Sequence, residues 1–181
     1  MRNPGEDLPL IARCKRELPH QHKAFEQLVS AYKDMVYTLC YRMTGSSTDA
    51  EDLLQEILTK LFLNLNKFEE RSAFSSWLYR VAYNHCLNFL SSRQMERTRT
   101  DALPMGDVVV DTSTEASRQD QRTQAVLASI DPDDRALLVM KYVMDLDVKE
   151  ISEILRIGLS ATKMRLARAK EGFKQMFKET Q

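Results

Sequence analysis

Apolar residues recur at helical spacing along most of this chain, and strand-like alternation is nearly absent. From about Lys23 to Thr44 the positions Phe25, Leu28, Val29, Tyr32, Val36, Leu39, Cys40 and Met43 form one stripe, closed by Gly45-Ser46-Ser47. Thr48 stands three residues before Glu51, the spacing of a capping box, so a second helix is expected to open there. Its stripe is Leu53, Leu54, Ile57, Leu58, Leu61, Phe62 and Leu65. A third helix, from about Ser72 to Ser92, carries Phe74, Trp77, Leu78, Val81, Ala82, Cys86, Leu87 and Leu90. Each stripe covers one face only, so these helices must pack on one another. Residues 1–20 are polar, with Pro4 and Pro19, and predict a loose segment with at most a short helix near Leu8–Glu17.

The pattern breaks over residues 94–118, which are polar, acidic and rich in Ser, Thr and Asp, with Pro104 and Gly106. That composition predicts a flexible linker, in which Val108-Val109-Val110 is the one run with strand character. Helical spacing resumes from about Gln119 to Ile130. Asp131 is then placed to cap a helix with Pro132 in its first position, running from Asp133 to about Met144. A short apolar helix (Val148, Ile151, Ile154, Leu155) stops at Ile157-Gly158, and a second opens on Ser160 carrying Lys163, Arg165, Arg168 and Lys170. Two short helices about a tight turn, the second basic, predict a helix-turn-helix whose second helix enters a DNA major groove. The expected fold is all-α: an N-terminal segment 1–22, a helical domain 23–93, a flexible acidic linker 94–118, and a second helical domain 119–181.

The net charge is zero, with 26 basic and 26 acidic residues in 181, which by itself argues against a nucleic-acid partner. The distribution reverses that inference. From Arg156 to Gln181 seven basic residues face two acids, whereas from Asp101 to Leu155 twelve acids face five basic residues. A basic terminal helix can therefore meet phosphates although the molecule is neutral. No apolar run is long enough for a membrane span and no secretory signal opens the chain. The three cysteines lack any CxxC spacing and read as reduced thiols of a cytoplasmic protein. Cys14 with His20 and His22 does not have a recognised zinc spacing and lacks a fourth ligand, so no metal is expected. No Gly-rich phosphate loop or nucleophile–base arrangement is visible. Neither a cofactor nor catalysis is expected.

Two constellations remain. Asp49, Glu51, Asp52 and Glu56 crowd the start of the second helix, and acids there suit the positive end of the helix dipole. Yet Asp52, Gln55, Glu56 and Thr59 fall at i, i+3, i+4 and i+7 opposite the leucine stripe, forming an acidic-polar ridge suited to a basic partner helix. On the third helix, Phe74 and Trp77 read first as core residues. Tyr79, Arg80, Tyr83, Asn84 and Asn88 leave a second face of aromatics, amides and a guanidinium, a mixture suited to unpaired bases and phosphates.

In order and spacing, the DAEDLLQE helix, the F-x-x-W-L-Y-R helix, the low-complexity tether and the terminal helix-turn-helix resemble a bacterial sigma factor of the extracytoplasmic-function class. The resemblance covers residues 23–178. It implies that Asp49, Asp52, Gln55 and Glu56 dock on the clamp helices of the largest catalytic subunit of core RNA polymerase. The loop Lys67–Ser72, with Lys67, Arg71 and Ser72, resembles the loop that captures a flipped base of the minus-ten element. Trp77, beside Phe74 of the same motif, falls at the upstream edge of the melted bubble, and Leu78 stands where primary sigma factors keep a second tryptophan. Arg80 is implied to hold a phosphate, and Asn84 and Asn88 the minus-ten duplex edge. The tether, with Asp101, Asp107, Asp111 and Glu115, resembles a linker lying in the polymerase cleft. The minus-thirty-five reading helix is implied to use Ser160, Thr162, Lys163, Met164, Arg165 and Arg168. Gly158 and Ser160 depart from the family's Pro and Gly, and Met164 from its small polar residue. The resemblance also implies promoter DNA and an anti-sigma factor as partners. The alternative is a stand-alone helix-turn-helix regulator with a helical dimerisation or sensor domain, for which the melting face and acidic ridge would have no use.

Overall fold

A computed structural model describes residues 4–100 and 115–180. It is all-helical over those residues: α1 (Pro4–Glu17), α2 (Lys23–Thr44), α3 (Ser47–Asn64), α4 (Phe74–Thr100), α5 (Glu115–Ser129), α6 (Pro132–Leu138), α7 (Val148–Leu155) and α8 (Leu159–Glu179). The linker residues 101–114, with Val108–Val110 and the first three tether acids, lie outside the described residues.

The first bundle packs α2 against α3 and α4, with the predicted stripes facing inward. The N-terminal segment differs from expectation, because α1 is a full helix packed on α2. Its Ile11 and Cys14 enter the core, and Tyr32 donates a hydrogen bond to the buried Asp7 carboxylate. Three buried anchors at helical spacing outweigh the polar character that suggested a loose tail. α2 ends at Gly45, whose left-handed φ of 76° lets its N–H reach the Tyr41 carbonyl. The cap of α3 is Ser46, whose hydroxyl accepts from the Asp49 N–H at 3.2 Å, two residues earlier than the Thr48 box predicts. α4 begins at Phe74 and runs to Thr100, well into the stretch read as linker. Propensity alone extends it: Gln94, Met95 and Glu96 favour helix and no breaker stands before Pro104. α5 likewise starts four residues before Gln119.

In the second half, Asp131 caps α6 through its side chain, with Pro132 in the first turn, as the sequence predicts. The helix then widens into a π-type turn, Val139–Val143. α7 opens on a complete capping box between Asp147 and Glu150. Arg156, at φ 56°, closes it, and Gly158 rather than Ser160 caps α8. Buried Val126, Leu127, Leu137, Val139, Ile151, Ile154, Leu166 and Ala169 form the centre of this half.

The halves do not stand apart. α4 packs against α7 and α6, and α2 against α5 and α6, so the buried residues of both form one continuous core. Polar bonds fasten the seam. Arg42 pairs with Asp120 at 2.5 Å, Gln124 returns a bond to the Arg42 carbonyl at 3.2 Å, and Arg135 donates to the Met43 carbonyl.

Candidate polymerase and nucleic-acid interfaces

On α3 the ridge is real. Asp52, Gln55, Glu56 and Thr59 are all exposed, while Leu53, Ile57 and Leu61 behind them are buried. Glu56 is held from the side: His85 Nε2 on α4 meets its carboxylate at 2.6 Å, and Lys60 Nζ meets His85 Nδ1 at 2.7 Å. Asp49 does not belong to this surface. It is half-buried and its carboxylate is taken by Arg93 of α4, a pairing that crosses 44 residues of sequence and leaves no local signal. An apolar groove of about 600 Å³ lined by Phe25, Val29, Leu58, Phe62 and Leu63 runs beside the ridge.

The loop before α4 passes through a 3-10 turn, Leu65–Lys67, and Glu70 adopts a left-handed φ of 61°. Lys67 and Arg71 are exposed, and Arg71 pairs with Glu69 at 2.9 Å in solvent. Ser72 is half-buried, and Lys15 of α1 anchors the loop by donating to the Phe68 carbonyl at 2.7 Å. Trp77 is half-buried and stacks on Phe74, with ring centroids 5.8 Å apart. Phe74 itself is 1% exposed, wedged among Tyr32, Phe68 and Trp77. It therefore supports Trp77 from beneath and has no surface of its own to offer a base.

The second face of α4 is narrower than the pattern suggests. Asn84 and Asn88 are exposed, but Tyr79 is buried, and burial pushes its phenol well above the ordinary range. Tyr83 is buried too and donates to Asp133 of α6 at 2.6 Å. Arg80 is engaged within the molecule. Its Nε donates to the Ile154 carbonyl at 3.0 Å and a terminal nitrogen to the Glu153 carbonyl, so it caps the C-terminus of α7. Those carbonyls have no partner within their helix, and the helix dipole adds to their attraction for a cation. Seventy-odd residues separate the partners, which is why spacing could not reveal them.

On α8, Ser160, Lys163, Met164 and Arg168 are exposed. Two predicted readers face the other way. Thr162 is fully buried, its hydroxyl bonded to the Gly158 carbonyl at 3.1 Å, because it falls at i, i+4 and i+7 with the buried Leu166 and Ala169 on the inward stripe of the helix. Arg165 is drawn back to α6, with Asp134 at 2.6 Å, Asp133 at 3.4 Å and Asp131 at 3.7 Å. The sequence reading also missed Leu159, 44% exposed in the first turn of the same helix. Cys14, Cys40 and Cys86 are all buried, and no cluster placed to hold a metal occurs among the described residues. Nor is any helix there long and apolar enough to cross a membrane.

An acidic-polar helix face thus lies on one bundle and an exposed cationic helix-turn-helix on the other. Comparison with known proteins supplies the class. Residues 28–96 match sigma-70 region 2 and residues 120–171 match sigma-70 region 4. The chain is 30% identical to the ECF RNA polymerase sigma factor SigW of Bacillus subtilis, across 96% of this chain and 99% of that protein. It is 32% identical to SigE of Mycolicibacterium smegmatis, across 82% of this chain and 59% of that one. The fold resembles that of RpoE bound to the anti-sigma factor NepR from Bartonella quintana, with a TM-score of 0.74, 20% identity, and coverage of 86% of this chain and 98% of that one. It also resembles CnrH in complex with the cytosolic domain of CnrY, with a TM-score of 0.70, 20% identity, and coverage of 96% and 97%. The chain belongs to the extracytoplasmic-function sigma factors of the sigma-70 family, and it directs transcription initiation. A stand-alone helix-turn-helix regulator is thereby replaced, since the region 2 match accounts for the first bundle.

Proposed function

We propose that the two bundles divide the work. The first grips core RNA polymerase and opens the minus-ten element, and the second reads the minus-thirty-five element. The observation that carries this reading is the separation of surfaces. The exposed acidic ridge of Asp52, Gln55 and Glu56 lies on α3, and the exposed Ser160, Lys163, Met164 and Arg168 lie on α8. Docking on the polymerase clamp helices falls to the ridge, with the neighbouring apolar groove available to a partner helix. Asp49 supports it indirectly through Arg93. Asn84, Asn88 and Lys67 are exposed to face the minus-ten strands, Arg71 can join them from its solvent pair with Glu69, and Trp77 stands over Phe74 at the bubble edge. Arg80 joins them only when it leaves α7.

The chain supplies recognition and binding surfaces and no catalytic group, and it works in the cytoplasm with the polymerase. An anti-sigma factor is its proposed regulator, as the partners named in the two similar structures suggest. A cleft of about 850 Å³ between the bundles, bordered by Leu87, Leu90, Ala125, Ala128 and Pro132, is a surface such a partner can use.

The test is co-purification with core polymerase followed by transcription from a promoter that must be melted. Glu56→Arg is expected to weaken polymerase affinity about tenfold or more, by setting a cation against a basic partner. Unchanged affinity with an intact circular dichroism spectrum would remove the ridge from the docking surface.

A further inference from the structure

The direction in which α8 points its side chains singles out Met164. Thr162, Leu166 and Ala169 are buried and mark the inward side of this helix. At about 100° per residue, Met164 lies roughly 140–160° from all three, on the line that faces directly away from the protein. It is 66% exposed. Lys163 lies on one side of that line and Arg168 on the other, both exposed, while Arg165 is turned back to its three aspartates. A helix lying in a major groove presents its outermost line to the base edges and its flanks to the sugar–phosphate walls. The cations thus meet phosphates, and the residue at the floor is a thioether.

A methionine has almost nothing to offer the hydrogen-bonding pattern of a base pair. What the major groove does present to an apolar group is the C5-methyl of thymine. Methionine is also unbranched and polarisable, so it can follow such a methyl without a fixed rotamer. Resting on the proposed reading of the minus-thirty-five element by α8, we infer that Met164 is a specificity-determining residue that selects a thymine through its methyl group.

The experiment uses the full chain with core polymerase. Promoters randomised over the minus-thirty-five element are selected for transcription, and the preferred sequence is then rebuilt with deoxyuridine in place of each thymine in turn. Deoxyuridine keeps every hydrogen-bonding group and removes only the methyl. At one position the wild-type holoenzyme is expected to lose about fourfold in affinity, the worth of one apolar group of that size. Met164→Ser is expected to abolish the difference there and to leave preferences at other positions in place. Selection that yields no sequence preference upstream would overturn the reading of that element by α8, and Met164 with it. A clear preference in which deoxyuridine serves as well as thymine, or in which Met164→Ser stays equally sensitive to it, would overturn the assignment to Met164 alone. Met164 is a surface residue, so circular dichroism suffices to show that the variant folds.

Discussion

Arg80 and Arg165 carry similar expectations in the sequence, a phosphate within reach, and each is claimed instead by a partner far along the chain. The neighbours that could have warned of this are the acids Asp131, Asp133 and Asp134. They are legible as helix-start residues but silent about the cation they hold 31 residues later. Exposure was legible where periodicity is strict, as for Asp52, Gln55 and Glu56 opposite the buried leucines. It is harder to see at Thr162, a polar residue that shares an i, i+4, i+7 stripe with the buried Leu166 and Ala169. Cys40 and Cys86 lie on the predicted apolar stripes and are buried, whereas Cys14 is buried in a segment whose polar character predicts a loose tail. Burial pushes the Cys14 thiol up to about 11, and the contact with Cys86 together with burial raises Cys40. A raised thiol pKa means a neutral, poorly nucleophilic sulfur at neutral pH, with the thiolate growing only as pH climbs toward the shifted value. All three thiols are buried, so in native protein at pH 8 iodoacetamide is expected to label none of them within minutes, whereas denatured protein takes up three equivalents. Mass spectrometry of the intact chain counts them.

Among the elements, α2 matches its predicted bounds to the residue, because a Gly in left-handed geometry is an unambiguous stop. α4 runs past its predicted end because apolar content falls there while helicity does not. A helix that leaves the core keeps its hydrogen bonds while losing its stripe. α7 is the element most exposed to its cap, being eight residues long and too short to stand without help. The Asp147–Glu150 box that opens it is written in the sequence as D-x-x-E. Asp147→Ala is expected to destabilise the chain by about 0.5–2 kcal/mol, read as a lower urea midpoint with an unchanged slope. Because α7 sits between α4 and α8, the same change is expected to weaken promoter binding more than polymerase binding. Titration of each partner separately makes the comparison.

At the scale of the whole molecule, the contact between bundles sets a condition on activity. By their names the two promoter elements lie about 25 base pairs apart, roughly 85 Å of duplex at about 3.4 Å per step. Bundles joined by Arg42–Asp120, Tyr83–Asp133 and Arg80–Ile154 cannot reach both at once. On the proposed reading of both elements, the seam parts when the chain joins the polymerase. Asp120→Arg, which sets two guanidinium groups against each other, is expected to enlarge the radius of gyration in solution scattering and to speed association with core polymerase about threefold. Arg42→Asp combined with Asp120→Arg restores the attraction and is expected to reverse both effects, which separates opening from mere damage. That two bundles exist is legible in the sequence; that they close on each other is not, because the bonds named across the seam join residues 50 to 92 positions apart. The capped end of α7 carries this one step further. A guanidinium that must abandon two carbonyl oxygens before it can greet a phosphate contributes to promoter affinity only the margin between those two hosts. Removing it at position 80 is therefore expected to loosen the resting form as well, so a measured loss of affinity understates the template contact proposed for that side chain.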